Sequence, residues 1–147
     1  AMITRKVAPA LAAGCPVVIK PAASTPFTAT ALVELAKRAG VPKGVINLLT
    51  VSENNVANVG DELCTNQDIR KISFTGSTNV GKKLIAKSAT TIKKVSMELG
   101  GHAPFIVFED ANLDEAVTGA MANKYRNSGQ VCVSANKMIN LDSTIFT

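Results

Sequence analysis

The stretch "FTGSTNVGKK", Phe74 to Lys83, holds the residues whose spacing first points to chemistry. It follows the strand-like "RKIS" and carries Gly, four residues, then Gly-Lys, close to the loop that cradles nucleotide triphosphates. That loop needs Ser or Thr directly after the lysine, because the hydroxyl holds a magnesium ion, and here the residue is Lys83. No acidic residue at the end of an apolar strand offers a magnesium partner either, unless Glu98 serves. What remains is a strand, a glycine turn at Gly76 and a helix start. Together they present backbone N–H groups and the Ser77 hydroxyl to an anion. Such a turn suits a dinucleotide, though without the spacing G-x-G-x-x-G. Two further stretches matter. "SMELGG" sets Glu98 at the end of an apolar strand before two glycines, and "NSGQVC" sets Cys132 in a Gly/Gln-rich segment after a helix.

The elements that must position these residues alternate between strand and helix. A helix over about residues 3–13 leads to a strand at Val17 to Lys20. Ser24 or Thr25 then supplies a cap, with Pro26 at the first helical position, and the helix runs to Ala39 and stops at Gly40. Strand "VINLL" and a polar helix from Glu53 to Leu63 come next. Strand "KISF" enters the glycine turn, a helix covers Asn79 to Ser88, and "KKVSMEL" and "PFIVF" read as strands. "DANLDEAVTGAMANKYR" reads as a helix with Asn112 and Glu115 at capping-box spacing. This order predicts an α/β fold on a parallel sheet.

Composition excludes several classes. The chain has 147 residues, 46% of them hydrophobic, which is the content of a globular protein with a core. Its net charge of +5 comes from dispersed residues, and with one Tyr and no Trp the lysines lack the interleaved aromatics of a nucleic-acid surface. Cys15, Cys64 and Cys132 are three scattered cysteines without a C-x-x-C pair. They argue against a disulfide scaffold or zinc site and favour a reducing compartment, the cytoplasm, with an organellar one as the alternative. Cys15 and Cys64 are expected as buried small hydrophobes. His102, the lone histidine, is expected as a partly exposed loop residue, so no metal site is expected. "MITRKVAPALAAGC" mimics a secretory signal, but hydrophobicity resumes directly after Pro16, which favours a helix ending at Gly14. No apolar stretch is long enough to imply a membrane span.

Taken together, "AAGCPVVIKPA", "FTGSTNVG", "SMELGG" and "NSGQVC" resemble the aldehyde dehydrogenase superfamily, in order and spacing, from Met2 to about Asn140. "SMELGGHAPFIVFEDANLDEAV" and "KYRNSGQVCVSANK" are most similar to its succinate-semialdehyde dehydrogenases. The resemblance implies a Rossmann-like cofactor domain, here its second part over residues 1–99, running into the start of an α/β catalytic domain over 100–147. It implies Cys132 as the nucleophile that makes the aldehyde carbon tetrahedral, its backbone N–H helping to hold the oxyanion. Glu98 would activate the water that hydrolyses the thioester. For Cys132 the alternative is a buried small hydrophobe, and for Glu98 a surface carboxylate, although a strand end running into Gly100-Gly101 is an unusual place for a solvated face.

By the same resemblance Gly76, Ser77 and Leu99 belong to the cofactor site, and Lys20 in "IKPA" binds the adenosine ribose. Three residues on, where NAD-preferring relatives commonly carry Glu, stand Ala23 and then Ser24. Loss of that carboxylate removes its repulsion of a 2′-phosphate, which implies NADP as preferred or accepted, with NAD. Arg126 matches the arginine that holds the semialdehyde's carboxylate, and its alternative is a helix-terminal arginine facing the dipole. The implied partners are a small aldehyde and, for the full-length form, further copies of itself.

There are departures. Ser134 stands where many subfamily members have a second cysteine, so a redox disulfide with Cys132 is not expected. The chain resembles only a central portion of a family member, without the "PWNFP"-like segment and much of the catalytic domain. The closing "LDSTIFT" fits the pattern poorly, as a frameshift would. A non-catalytic remnant or partner module is therefore the second reading. In isolation it is expected to expose sheet edges and apolar helix faces.

Overall fold

The computed structural model describes residues 2–141. The part of "LDSTIFT" after Leu141 lies outside the described residues. The elements are α1 (Met2–Ala12), β1 (Val17–Ile19), α2 (Pro26–Arg38), β2 (Ile46–Leu48), α3 (Val56–Thr65), β3 (Lys71–Thr75), α4 (Thr78–Ala89), β4 (Lys94–Glu98), β5 (Ala103–Phe108), α5 (Leu113–Tyr125) and β6 (Ala135–Leu141). The α/β expectation holds, and it holds in pairs. β1 pairs with β2, β3 with β4 and β5 with β6, every pair parallel, each joined through the helix or helices between its strands. Parallel neighbours need such a crossover, which is why helices alternate with strands along the sequence. Among the described residues these are three two-stranded sheets, not one continuous sheet.

The chain divides into two compact units. The first holds the residues up to Thr75 and Asn79–Glu98, hence α1 to β4 apart from the glycine turn and the first residue of α4. The second holds Gly76–Thr78 with the residues from Leu99 onward, and so β5, α5 and β6.

In the first unit local rules set the helix ends. α2 begins at N-cap Thr25 with Pro26 at N1, and the threonine side chain makes no cap hydrogen bond, unlike the expected hydroxyl cap. At its far end Val41 N donates to Ala36 O (3.1 Å) and Gly40 N to Lys37 O (3.0 Å), with Gly40 at φ +87°. This is the paired closure that ends a helix on a left-handed glycine. α1 closes the same way, with Cys15 N on Ala10 O and Gly14 N on Leu11 O, each 2.9 Å. That closure explains a correction. Cys15, expected to be buried, sits on the turn after α1 and is exposed. Cys64 is buried as expected, at 1% exposure inside α3.

In the second unit α5 starts as its sequence predicts. Asn112 Oδ1 accepts from Asp114 N (3.0 Å) and Glu115 N (3.2 Å). β6 was not anticipated from the sequence, and it pairs along the whole of β5. Among the described residues the buried apolar ones are few, Ala29 and Cys64 in the first unit and Ala135 in the second. On α5 the residues Leu113, Val117, Met121 and Tyr125 recur every four positions and are all exposed. This is the uncovered apolar helix face that the sequence led one to expect.

Candidate active site

In the first unit, β1 and β2 end side by side, with Ile19 opposite Leu48. The chain leaving their carboxyl ends lines a pocket of about 160 Å³, with Pro21, Ala22, Ala23 and Pro26 on one side and residues 50–52 on the other. Open parallel sheets bind ligands at that end of their strands. None of the lining residues is acidic, and Ala23 and Ser24 are exposed there. A phosphorylated ribose set there would meet no carboxylate among the lining residues, and Thr50 and Ser52 would offer it hydroxyl groups. Lys20 follows β1 directly, is half-buried, and turns its Nζ onto Pro21 O at 2.8 Å.

β3 and β4 also end in register, with Thr75 opposite Glu98. Glu98 is exposed, contrary to the expectation of a shielded strand end. β4 has a hydrogen-bonded neighbour only in β3, and most of its residues face solvent. Thr75 is followed by Gly76 and Ser77, and α4 begins at Thr78, so the turn expected to bind an anion does lead into a helix N-terminus.

The second unit holds the rest of this turn's surroundings. A side chain at Gly100 would touch Thr78 Oγ1, 3.8 Å from where its Cβ would lie. Leu99 is half-buried and His102 exposed, the latter in the link that enters β5, as expected of a loop histidine.

Cys132 sits on a turn between α5 and β6, closed by Ser134 N donating to Val131 O at 3.0 Å. Its thiol is exposed and unpaired. The approach to this turn is unusual. After α5 the backbone passes through three left-handed residues in succession, Asn127 (φ +51°), Ser128 (φ +59°) and Gly129 (φ +73°). At Gly129 a Cβ would lie 3.0 Å from Lys124 O, so glycine is favoured on two counts. Arg126 stands where helical geometry ends, with ψ 130°, and is exposed. None of the ion pairs among the described residues involves it.

One residue of this site was missed by sequence reasoning. Asn123, on α5, donates from Nδ2 to Val133 O (3.3 Å) and accepts at Oδ1 from Ala135 N (2.7 Å). Its amide thus holds the chain just after Cys132 at two points. Next to it, Lys124 Nζ donates to Asn136 Oδ1 (2.9 Å), and Asn136 Nδ2 reaches Gly101 O (3.4 Å). The available signal was an asparagine within a helix, a residue type that serves helices poorly unless its side chain has other work.

Comparison with known proteins bears on this geometry. Residues 1–145 match the Aldehyde dehydrogenase family. A succinate-semialdehyde dehydrogenase (NADP(+)) of Escherichia coli (strain K12) is 62% identical over 138 residues, which are 94% of this chain and 28% of that protein. A glutarate-semialdehyde dehydrogenase of Pseudomonas aeruginosa is 60% identical over 138 residues, again 94% of this chain and 28% of its own length. Among solved structures, an E. coli NADP dependent enzyme superposes with a TM-score of 0.90 at 59% identity, covering 99% of this chain and 30% of that one. The chain therefore spans less than a third of the length of the relatives it matches.

Proposed function

The chain belongs to the aldehyde dehydrogenase family, and we propose that it is the part of an NADP- or NAD-dependent semialdehyde dehydrogenase that carries the nucleophile, the general base and part of the cofactor site. Succinate semialdehyde is the substrate we assign. Residues 1–99 are the second part of the cofactor domain and residues 100–147 the start of the catalytic domain. The observation that carries the reading is the state of Cys132. A lone cysteine is most often a buried small hydrophobe, as Cys64 is; Cys132 is exposed, as Cys15 is, but its turn is one that the Asn123 side chain ties back to a helix.

In the proposed reaction the Cys132 thiolate adds to the aldehyde carbon, forming a C–S bond and an oxyanion. The Cys132 backbone N–H stabilises that oxyanion. The nicotinamide cofactor, when bound, supplies the hydride acceptor. Loss of hydride leaves a thioester on Cys132. Glu98 removes a proton from the water that attacks this carbonyl, the C–S bond breaks, and the acid departs with Cys132 restored as thiolate.

Lys20, Ala23 and Ser24 hold the adenosine end of the cofactor, while Gly76, Ser77 and Leu99 hold its pyrophosphate and nicotinamide half. The pocket without acidic lining supports NADP as the preferred partner. Arg126 takes the carboxylate at the far end of the substrate through two parallel hydrogen bonds. Both a succinate and a glutarate semialdehyde carry such a group, as the names of the two relatives record. The three free thiols support a reducing compartment, the cytoplasm, for the protein. Among the described residues no helix is long and apolar enough to cross a membrane.

The deciding experiment replaces Cys132 by Ser in the full-length protein and tracks NADPH formation from succinate semialdehyde. A fall of about a thousandfold or more is expected. Activity near the native level would remove Cys132 from the mechanism.

A further inference from the structure

The turn that bears Cys132 lacks a side-chain anchor of its own. The thiol-bearing residue is exposed, and the segment before it is a run of left-handed backbone that leads away from α5. Only after the cysteine does the chain regain firm partners, where β6 begins at Ala135. Two side chains of α5 tie it to that point: Lys124 Nζ bonds Asn136 Oδ1 one residue into β6, and the Asn123 amide grips the backbone nearer the cysteine. Its two bonds are complementary: the NH₂ donates to Val133 O and the carbonyl accepts from Ala135 N. They bracket Ser134, whose residue is 1% exposed, as Ala135 is 4% exposed. An asparagine side chain used in this way acts as one rung of a strand, reading an acceptor and a donor two residues apart on the same chain.

We propose that Asn123 is a positioning residue for Cys132: by pinning Val133 and Ala135 to α5 it sets the place and orientation of the thiol and of its backbone N–H. The proposal rests on the reading of Cys132 as the nucleophile, and it adds a residue through which that nucleophile is held. Loss of the amide removes both backbone ties nearest the cysteine on its downstream side, and the Ser134–Val131 bond, the start of β6 pairing at Ala135 and the Lys124–Asn136 bond remain. The Ala135 N–H, buried with its residue, would also lose its acceptor. A nucleophile displaced by as little as 1 Å loses about a hundredfold in rate. Substrate and cofactor affinity depend on other residues and change far less.

The test uses the full-length protein and reads Cys132 directly. The rate of its alkylation by iodoacetamide is measured against pH, with each cysteine-containing peptide resolved by mass. In Asn123→Ala the Cys132 rate is expected to change by about tenfold or more and its pH profile to move, with Cys64 labelling unaltered. In parallel, kcat for the semialdehyde should fall while the KM for cofactor stays near native. Asn123→Asp keeps the acceptor for Ala135 N–H and loses the donor to Val133 O. It should therefore lie between Ala and native, and it decides the matter alone if the Ala variant is insoluble. A Cys132 rate and pH profile equal to native in a soluble variant would overturn the proposal. The alkylation readout needs no turnover, so it stands apart from the Cys132→Ser experiment: if that experiment removes Cys132 from catalysis, the function reading fails, while the alkylation result still decides whether Asn123 sets the turn.

Discussion

Thr75 and Glu98 are the last register partners of the β3–β4 pair, opposite each other at the carboxyl ends of two parallel strands. One residue beyond Thr75 lies the glycine turn, and one residue beyond Glu98 lies Leu99. The proposed base and the proposed pyrophosphate turn therefore leave adjacent positions of one two-stranded frame. A carboxylate at such an end is anchored by the backbone pairing of its strand rather than by side-chain packing.

This arrangement allows the two halves of the reaction to be separated. Glu98→Gln keeps the size of the side chain and removes the base. Steady-state turnover of the full-length enzyme is expected to fall by about 10²–10⁴-fold. The first turnover, which makes reduced cofactor before any water attacks, should survive as a burst close to one per active site. Rapid mixing with absorbance detection measures both, and a burst lost together with the steady state would assign Glu98 to an earlier step.

Arg126 is exposed at the end of α5 and takes part in none of the ion pairs among the described residues. Arg126→Met is expected to raise the KM for succinate semialdehyde by about tenfold or more, the loss of a charge-assisted pair. An aldehyde of similar length without the carboxylate should show little change. Equal effects on both substrates would point to a structural role at the helix end.

Ala23 lies in the pocket at the ends of β1 and β2, where no lining residue is acidic. Ala23→Glu places a negative charge there. We expect kcat/KM with NADP to drop by at least about tenfold, since like charges brought together cost several kcal/mol, while NAD is used as well or better. Unchanged selectivity between the two cofactors, assayed at equal concentration, would place the 2′-phosphate elsewhere.

Ile92 adopts φ +54° and is 92% exposed, in the turn between α4 and β4. A β-branched residue is strained in that region, and here it gains no burial in return. Its neighbour Lys93 fixes the turn by donating to the Asn66 and Ile69 carbonyls. Ile92→Gly should therefore stabilise by about 1 kcal/mol, the relief of strain exceeding the added entropy of the unfolded chain. Urea unfolding gives the sign, and a lowered midpoint would contradict the strain argument.

Much of this architecture was legible because the signals were local. Gly40 marks the end of α2, Asn112 the start of α5, and β1, β2 and β5 are short, largely apolar runs. β6 was not legible, because "ANKMINL" becomes a strand through pairing with β5, which lies a whole helix earlier. Asn123 was hidden for the same reason, as its bonds reach ten and twelve residues ahead. Cys15 was misjudged because average burial of a residue type says nothing of the turn that α1 must make at Gly14. The exposure of Glu98 was likewise invisible, since it depends on what flanks β4 and not on the apolar run preceding it.

The strands pair in sequence order, first with second, third with fourth, fifth with sixth. Among the described residues no pair waits for a partner more than one crossover away in the sequence. At a synthesis rate of roughly 5–20 residues per second, each pair is complete within seconds of its first strand leaving the ribosome. The chain can thus lay down its architecture from one end to the other as it is made, with each helix serving as the clasp that returns the next strand to the last.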